Sequence, residues 1–213
     1  MQTLVVDHPV VTHKLTVLRD ETTHAPTFRR LTDELVTLLA YEAMRQMRIR
    51  PVTVTTPLGP ATGAKLAGPD PLVVPVLRAG IGMLDGMARL LPTADVGFVG
   101  LSRDEETLIA STYANRLPTD LAGREVFVLD PMLATGGTLE TVFKQVASRG
   151  AAAVTGVCLL AAPEGVARLE AAFPGEGPVP VRVVTAGMDE RLNDRGFILP
   201  GLGDAGDRLF GKI

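Results

Sequence analysis

Residues 125–138 of this chain read Glu-Val-Phe-Val-Leu-Asp-Pro-Met-Leu-Ala-Thr-Gly-Gly-Thr, an apolar run followed by an acid, two hydroxyls and paired glycines. Val126, Phe127, Val128 and Leu129 suit a buried strand, which leaves Asp130 at its carboxyl end. The chain then passes through Pro131, Met132, Leu133, Ala134, Thr135, Gly136, Gly137 and Thr138 into a segment of helical spacing. Such a loop suits an anionic phosphate. Glycines let backbone N–H groups turn inward, Thr135 and Thr138 add donors, and a helix N-terminus stands behind them. Asp130 would repel phosphate and fits better as an acceptor for sugar hydroxyls further along the same ligand. The plainer alternative is a glycine turn capping an ordinary helix, with Asp130 solvated.

Two arginines stand in matching places. Arg78 follows the apolar run 71–77, and Arg103 follows the run 96–101. A guanidinium keeps its charge and meets phosphate oxygens through two parallel donors. A lone arginine is usually a solvated surface charge, but two at strand ends carry more weight. Near the carboxyl end, residues 189–211 mix glycines, Pro200 and aspartates with Leu192, Phe197, Ile198, Leu199, Leu202, Leu209 and Phe210. That composition makes a poor helix and a poor strand, while the apolar anchors argue against disorder. A packed loop of this kind can aim backbone N–H and C=O groups at a flat polar heterocycle. It can also be a tail wrapped over the core, and both can hold.

Strand, acid, then Thr-Gly-Gly-Thr resembles the signature of the type I phosphoribosyltransferases, which bind 5-phosphoribosyl-1-diphosphate (PRPP). The chain has no Gly-Lys-Ser/Thr phosphate loop and no Gly-x-Gly-x-x-Gly after a first strand. Many family members carry two adjacent acids where this chain has Asp130 and Pro131. Asp-Pro-Met-Leu-Ala-Thr-Gly-Gly is instead similar to the uracil phosphoribosyltransferase branch. Pro-Gly-Leu-Gly-Asp-Ala-Gly-Asp-Arg at 200–208 resembles that branch's base-binding segment. The resemblance implies transfer of a phosphoribosyl group from PRPP to uracil, giving UMP and pyrophosphate. It implies that Arg78, Arg103, the 130–138 loop and Asp204 hold PRPP, Asp204 acting through Mg²⁺ or a water. Mg²⁺ would ride mainly on PRPP, with no direct protein ligand. Ile198, Gly203, Asp204 and Ala205 would meet uracil, largely through the backbone. Arg78, Arg103, Asp130 and Asp204 would form the catalytic set. A homo-oligomer, dimer or tetramer, and activation by GTP in some members also belong to what the resemblance implies.

These groups need a frame. The 213 residues are expected to form one domain, 1–213. Apolar residues recur every three or four positions from Phe28 to Met47, which predicts a helix with Thr27 as N-cap and Pro51 as the stop. Tyr41 within it reads as core. Strands are expected at 71–77 (against the presence of Pro75), 96–101, 126–129, 154–160 and 181–185. Helices are expected at 81–91, 138–148 and 166–173. Alternating elements with continuously apolar strands predict a doubly wound, mainly parallel α/β sheet flanked by helices, with ligands at the strands' carboxyl ends. The section up to residue 47 and the C-terminal segment would cap that edge. Residues 104–120 read equally as an exposed hairpin or loop and as a lid over the diphosphate. His8, His13 and His24 read as surface or cap residues.

Composition narrows the classes further. A hydrophobic fraction of 46% with 21% charged residues is that of a globular enzyme. A net charge of −3 argues against sequence-independent nucleic-acid binding, and so against an RNA-binding attenuator on the same scaffold. A DNA-binding repressor would need a further domain. A purine or orotate enzyme is disfavoured by residues 200–208, and a silent interaction domain by intact Arg78, Asp130 and Asp204. The single cysteine, Cys158, excludes an intramolecular disulfide and lies in an apolar run as a small hydrophobe. The N-terminus lacks a signal-peptide pattern and no uncharged stretch approaches membrane-spanning length, so a cytoplasmic location and no membrane partner are expected.

Overall fold

The structure is a computed structural model that describes residues 1–103, 110–175 and 177–212, with the side chains of residues 102, 103, 110 and 111 outside the description. In chain order come β1 (Gln2–Val5), α1 (Pro9–Arg19), α2 (Ala25–Ala43), β2 (Ile49–Thr56), β3 (Gly59–Leu66) and β4 (Leu72–Leu77). A 3-10 turn (Ala79–Met83) leads into α3 (Leu84–Leu90), followed by β5 (Asp95–Val96), β6 (Phe98–Arg103) and β7 (Ala110–Arg116). Then come β8 (Glu125–Leu129), β9 (Met132–Leu133), α4 (Gly137–Ser148), β10 (Ala153–Ala161), α5 (Pro163–Ala172) and β11 (Val181–Met188). The chain closes with β12 (Arg191–Leu192), β13 (Ile198–Leu199) and α6 (Ala205–Phe210).

The main sheet runs β1-β11-β10-β8-β4-β6-β7, with β5 beside β4 and β9 beside β10. Its described pairings are parallel except β6 with β7. The continuous apolar runs follow from burial on both faces. In β8, Val126 and Val128 join Leu139, Val142 and Phe143 of α4 and Leu169 of α5. Phe127 and Leu129 point the other way, into a core shared with Phe28, Leu35 and Leu39 of α2. A strand covered on both faces has no polar register to spare.

Pro75 is tolerated for a local reason. Its neighbour on one side changes from β5, paired at Leu72 and Val73, to β6, paired at Val76 and Leu77. The carbonyl of Val73 faces that side, accepting from Gly97 N–H, so by alternation the Pro75 nitrogen faces the break in the ladder.

α2 begins two residues before the expected N-cap at Thr27. His24 is the N-cap and Pro26 lies in the first turn, where a missing N–H is harmless. It ends at Ala43, well before Pro51, which lies in β2. The reading of Tyr41 as core is also corrected: it is 64% exposed, because position 41 lies across the helix from the buried stripe Phe28, Leu31, Leu35 and Leu39. Of residues 104–120, 104–109 lie outside the described residues, and β7 pairs antiparallel with β6, as a hairpin does. Among the described residues no helix is long and apolar enough to cross a membrane.

From β4 the chain steps outward to β6. From β8 it returns to the opposite side of β4 and continues outward through β10 and β11. The carboxyl ends of β4 and β8 therefore flank the topological switch point, where open α/β sheets bind ligands. Phe127 is 1% exposed at the centre of this arrangement. Phe127→Ala should lose about 3–5 kcal/mol of stability, read as a lower urea midpoint at unchanged slope.

Candidate active site

Arg78, Ala79, Asp130, Pro131, Met132, Asp204, Ala205 and Gly206 line one cleft of about 250 Å³. Three stretches far apart in sequence meet there. Arg78 directly follows β4 and stands exposed at the start of the 3-10 turn, after a cis Leu77–Arg78 peptide. Gly80 lets that turn close on β8: a Cβ there would lie 2.3 Å from the Leu129 carbonyl oxygen. Only glycine permits this approach, which sets Arg78 beside Asp130.

Asp130 is half-buried, and its backbone N–H donates to the Val157 carbonyl at 3.2 Å. Its Oδ1 accepts from Met132 N–H at 3.4 Å. The Pro131 carbonyl accepts from the N–H groups of Leu159 and Leu160, and β9 pairs with β10. Leu133 turns its side chain into the core. The loop then runs through Ala134 and Thr135 to Gly136, which caps α4 with a φ of 79°. The first amides of α4, from Gly137 and Thr138 onward, have no partner within the helix and are available to an anion. Behind Asp130 lies Cys158, whose thiol is pushed well up by burial and by the Asp130 charge. It stays protonated, a buried hydrophobe.

On the opposite wall, Asp204 caps α6, its Oδ1 accepting from Asp207 N–H at 2.8 Å. Asp204 Oδ1 lies 3.1 Å and Arg78 Nη2 3.8 Å from the position a Cβ would take on Gly206. The bare glycine thus leaves room between carboxylate and guanidinium. Ala205 is 3% exposed in the cleft wall, Gly203 is exposed just before it, and Ile198 buries its side chain in the core. The structure therefore brings Arg78, Asp130, Pro131, Met132, Asp204 and Ala205 together. Leu133, Ala134, Thr135, Gly136, Gly137 and Thr138 continue the chain from the cleft into α4, and Ile198 and Gly203 flank it. The Arg103 side chain lies outside the described residues; its backbone ends β6.

Ala79 and Gly206 also line the cleft; Gly206 lies inside the 200–208 stretch and Ala79 directly follows Arg78. The supports behind the C-terminal segment had no local signal at all. Arg19, at the end of α1, donates through Nη1 to Asp189 Oδ2 at 2.7 Å and through Nη2 to Oδ1. Arg19 Nη1 also donates to the Gly201 carbonyl at 2.9 Å, and Gly201 N–H donates to Asp189 Oδ2 at 2.8 Å. Burial alone would raise the Asp189 carboxyl; the Arg19 fork and the Gly201 N–H outweigh it and hold the group below its usual value. A larger cleft of about 800 Å³ opens at the sheet's amino edge, lined by Met1, Arg48, Glu125 and Arg182 among others. Arg78, Asp130 and Asp204 are not part of it, and the chemistry points to the smaller one.

A guanidinium and a carboxylate at adjacent parallel strand ends, with a Thr-Gly-Gly-Thr loop feeding a helix, define a site of the phosphoribosyltransferase class. The family model for uracil phosphoribosyltransferase matches residues 5–212. A uracil phosphoribosyltransferase of Nocardioides sp. is 67% identical over 213 residues, 100% of both chains. The solved AQ2163 protein of Aquifex aeolicus superposes with a TM-score of 0.92 at 40% identity, covering 99% of this chain and 98% of that one. A hypoxanthine-guanine phosphoribosyltransferase from Bacillus anthracis has a TM-score of 0.50 at 14% identity, over 77% of this chain and 80% of that one. That last likeness concerns the fold alone. This chain belongs to the uracil phosphoribosyltransferase family.

The depressed Asp189 carboxyl has a pH consequence. Its contribution to stability is complete above the unfolded value, about 3.9, and is lost as pH falls through the lower folded value. Between pH 5 and pH 2, thermal midpoints of Asp189→Asn should fall less steeply than those of the native chain.

Proposed function

We propose that this chain transfers the 5-phosphoribosyl group of PRPP to uracil, forming UMP and releasing pyrophosphate. The observation that carries this reading is the meeting of Arg78, Asp130 and the 204–206 segment in one cleft at the switch point. The bond from the anomeric carbon to the diphosphate oxygen breaks, and a bond from uracil N1 to that carbon forms. Positive charge grows on the ribose ring and negative charge on the leaving oxygens. Arg78 and Arg103 stabilise the leaving group, and the amides of 135–138 hold the phosphate. Asp130 accepts from the ribose hydroxyls and lies next to the cationic ring. The backbone around Ile198, Gly203 and Ala205 orients the base against the carbon. The N1 proton leaves with no assigned protein base.

Asp130 and Asp204 are hard oxygen donors of the kind that suits Mg²⁺, which would be carried on the PRPP oxygens with Asp204 reaching it through a water. When bound, the ion neutralises charge on the diphosphate. We further infer one domain spanning 1–213 in a cytoplasmic homo-oligomer, dimer or tetramer. The hairpin of β2 and β3 supports the oligomer: Ile49, Val54, Leu58 and Leu66 are exposed along it. GTP as activator rests on the family resemblance, and UMP formation with and without GTP tests it.

Formation of UMP from uracil, PRPP and Mg²⁺ tests the assignment directly. Arg78→Ala should lower kcat/KM about 10²–10³-fold, and Arg78→Lys should recover only part, because an ammonium lacks the planar fork. Full recovery by lysine would show that charge alone matters.

Uracil should be preferred over cytosine by about 10⁴-fold or more, since fixed backbone groups cannot follow the exchange of a C4 carbonyl and N3–H for an amino group and a bare nitrogen. Initial rates at fixed PRPP check this. Equal rates for the two bases would remove the backbone-reading pocket, and faster use of hypoxanthine or orotate would remove the assignment.

A further inference from the structure

Gly201 has a φ of 67°, and a Cβ on it would lie 2.2 Å from the Ile198 carbonyl oxygen. The chain therefore makes a tight turn immediately before Gly203, Asp204 and Ala205. Both polar backbone groups of that glycine are held by side chains. Its N–H donates to Asp189 Oδ2 at 2.8 Å and its carbonyl accepts from Arg19 Nη1 at 2.9 Å. Arg19 and Asp189 complete the ring with their own fork. Neither side chain lines the cleft. Asp189 is 8% exposed and follows β11 directly, with its own N–H on the Ala161 carbonyl at 2.9 Å. The next carbonyl, on Leu202, accepts from Arg208 Nη1 at 3.0 Å.

A buried ion pair is a weak source of stability compared with well-packed apolar residues. What it supplies here is direction, fixing the N–H and C=O of Gly201 inside the segment assigned to the base, two residues before Gly203. We infer that Arg19 and Asp189 are a positioning pair for uracil, setting affinity and selection for the base through Gly201 without touching the substrate. This inference rests on the proposed reading of residues 198–205 as the base-binding segment. PRPP is held mainly by Arg78, Arg103 and the 130–138 loop in that reading, so loss of the pair should separate the two substrates.

The experiment is steady-state kinetics with uracil and PRPP varied in turn, on the native chain and on Arg19→Ala, Arg19→Lys, Asp189→Asn and Arg149→Ala. Arg149 serves as the structural comparison, since it binds the Leu117 and Pro118 carbonyls away from the cleft. Arg19→Ala should raise KM for uracil about tenfold or more, with KM for PRPP changed less than about threefold. Cytosine should be discriminated against less strongly. Arg19→Lys should lie between, keeping the charge without the fork. If Arg19→Ala does not fold, Arg19→Lys and Asp189→Asn carry the same test, each raising KM for uracil selectively. Faster hydrogen exchange at residues 201–205 in these variants supports the inference independently of turnover. Equal changes in both KM values, or the same split in Arg149→Ala, overturn it. No UMP from the native chain overturns the proposed function and this pairing with it, whereas UMP with no split overturns the pairing alone.

Discussion

Val73, Val74 and Pro75 of β4 lie against Phe127, Val128 and Leu129 of β8 in a parallel register, and the site inherits its geometry from that alignment. A slip by one residue would turn Phe127 toward α4, where Phe143 already fills the space against Phe173 with ring centroids 5.8 Å apart. Apolar shape on both faces thus holds the register. Asp130 comes one residue after Leu129 and Arg78 three after Pro75, so both reach the same edge. Gly80 then closes the 3-10 turn onto the end of β8. Packing in the two cores and the close approach at Gly80 set guanidinium beside carboxylate.

The charges of the cleft are divided by position. Among the described residues Arg78 is the cation lining it, while Asp130 and Asp204 stand on two sides. Two carboxylates are a poor reception for a polyanion, and the loop explains how the difficulty is avoided. In the proposed reading, phosphate oxygens are left to the amides at the start of α4, whose N-terminal dipole favours negative charge. In the proposed reaction the carboxylates accept from sugar hydroxyls and face the ring that becomes positive. Opposite charges therefore develop near opposite partners, with little side-chain motion needed.

Legibility in the sequence followed burial. Strands β8, β10 and β11 are covered on both faces and announced themselves as apolar runs, and α2 showed its stripe at helical spacing. The β2–β3 hairpin was missed because most of its residues are exposed, so no continuous apolar run marks it, although Val52-Thr53-Val54-Thr55 alternates β-branched residues as a strand does. β1 is an edge strand whose partner, β11, lies at Arg182 to Thr185, far along the chain. The motifs around Arg78, Asp130 and Asp204 were legible because each is local: a strand end, a loop and a turn within a few residues. Tyr41 was misread because an aromatic inside a helix suggests core, while its angle from the stripe places it outside. Arg19 with Asp189, and Arg208 with Leu18, are contacts across some 170 to 190 residues that only the folded chain creates.

Those long contacts share an origin in helix chemistry. The last carbonyls of α1 have no intrahelical partner and carry partial negative charge. Arg208 answers this from the other end of the chain, donating to the Leu18 carbonyl and to those of Leu202 at 3.0 Å, Asp20 at 2.6 Å and Thr23 at 3.3 Å. Its guanidinium also lies over the Phe28 ring, 4.5 Å from the centroid. Burial lowers its pKa, yet an arginine so placed keeps its proton. A lysine could satisfy neither the planar stack nor acceptors spread this widely. Because Leu202 and Leu18 share one donor group, the end of α1 and the segment proposed to bind the base are fixed relative to each other. A pocket that reads its ligand with backbone groups has no side-chain rotamer to adjust, so its fidelity depends on how firmly that backbone is held. In the proposed reading the N-terminal helices back the site rigidly, although none of their residues lines the cleft.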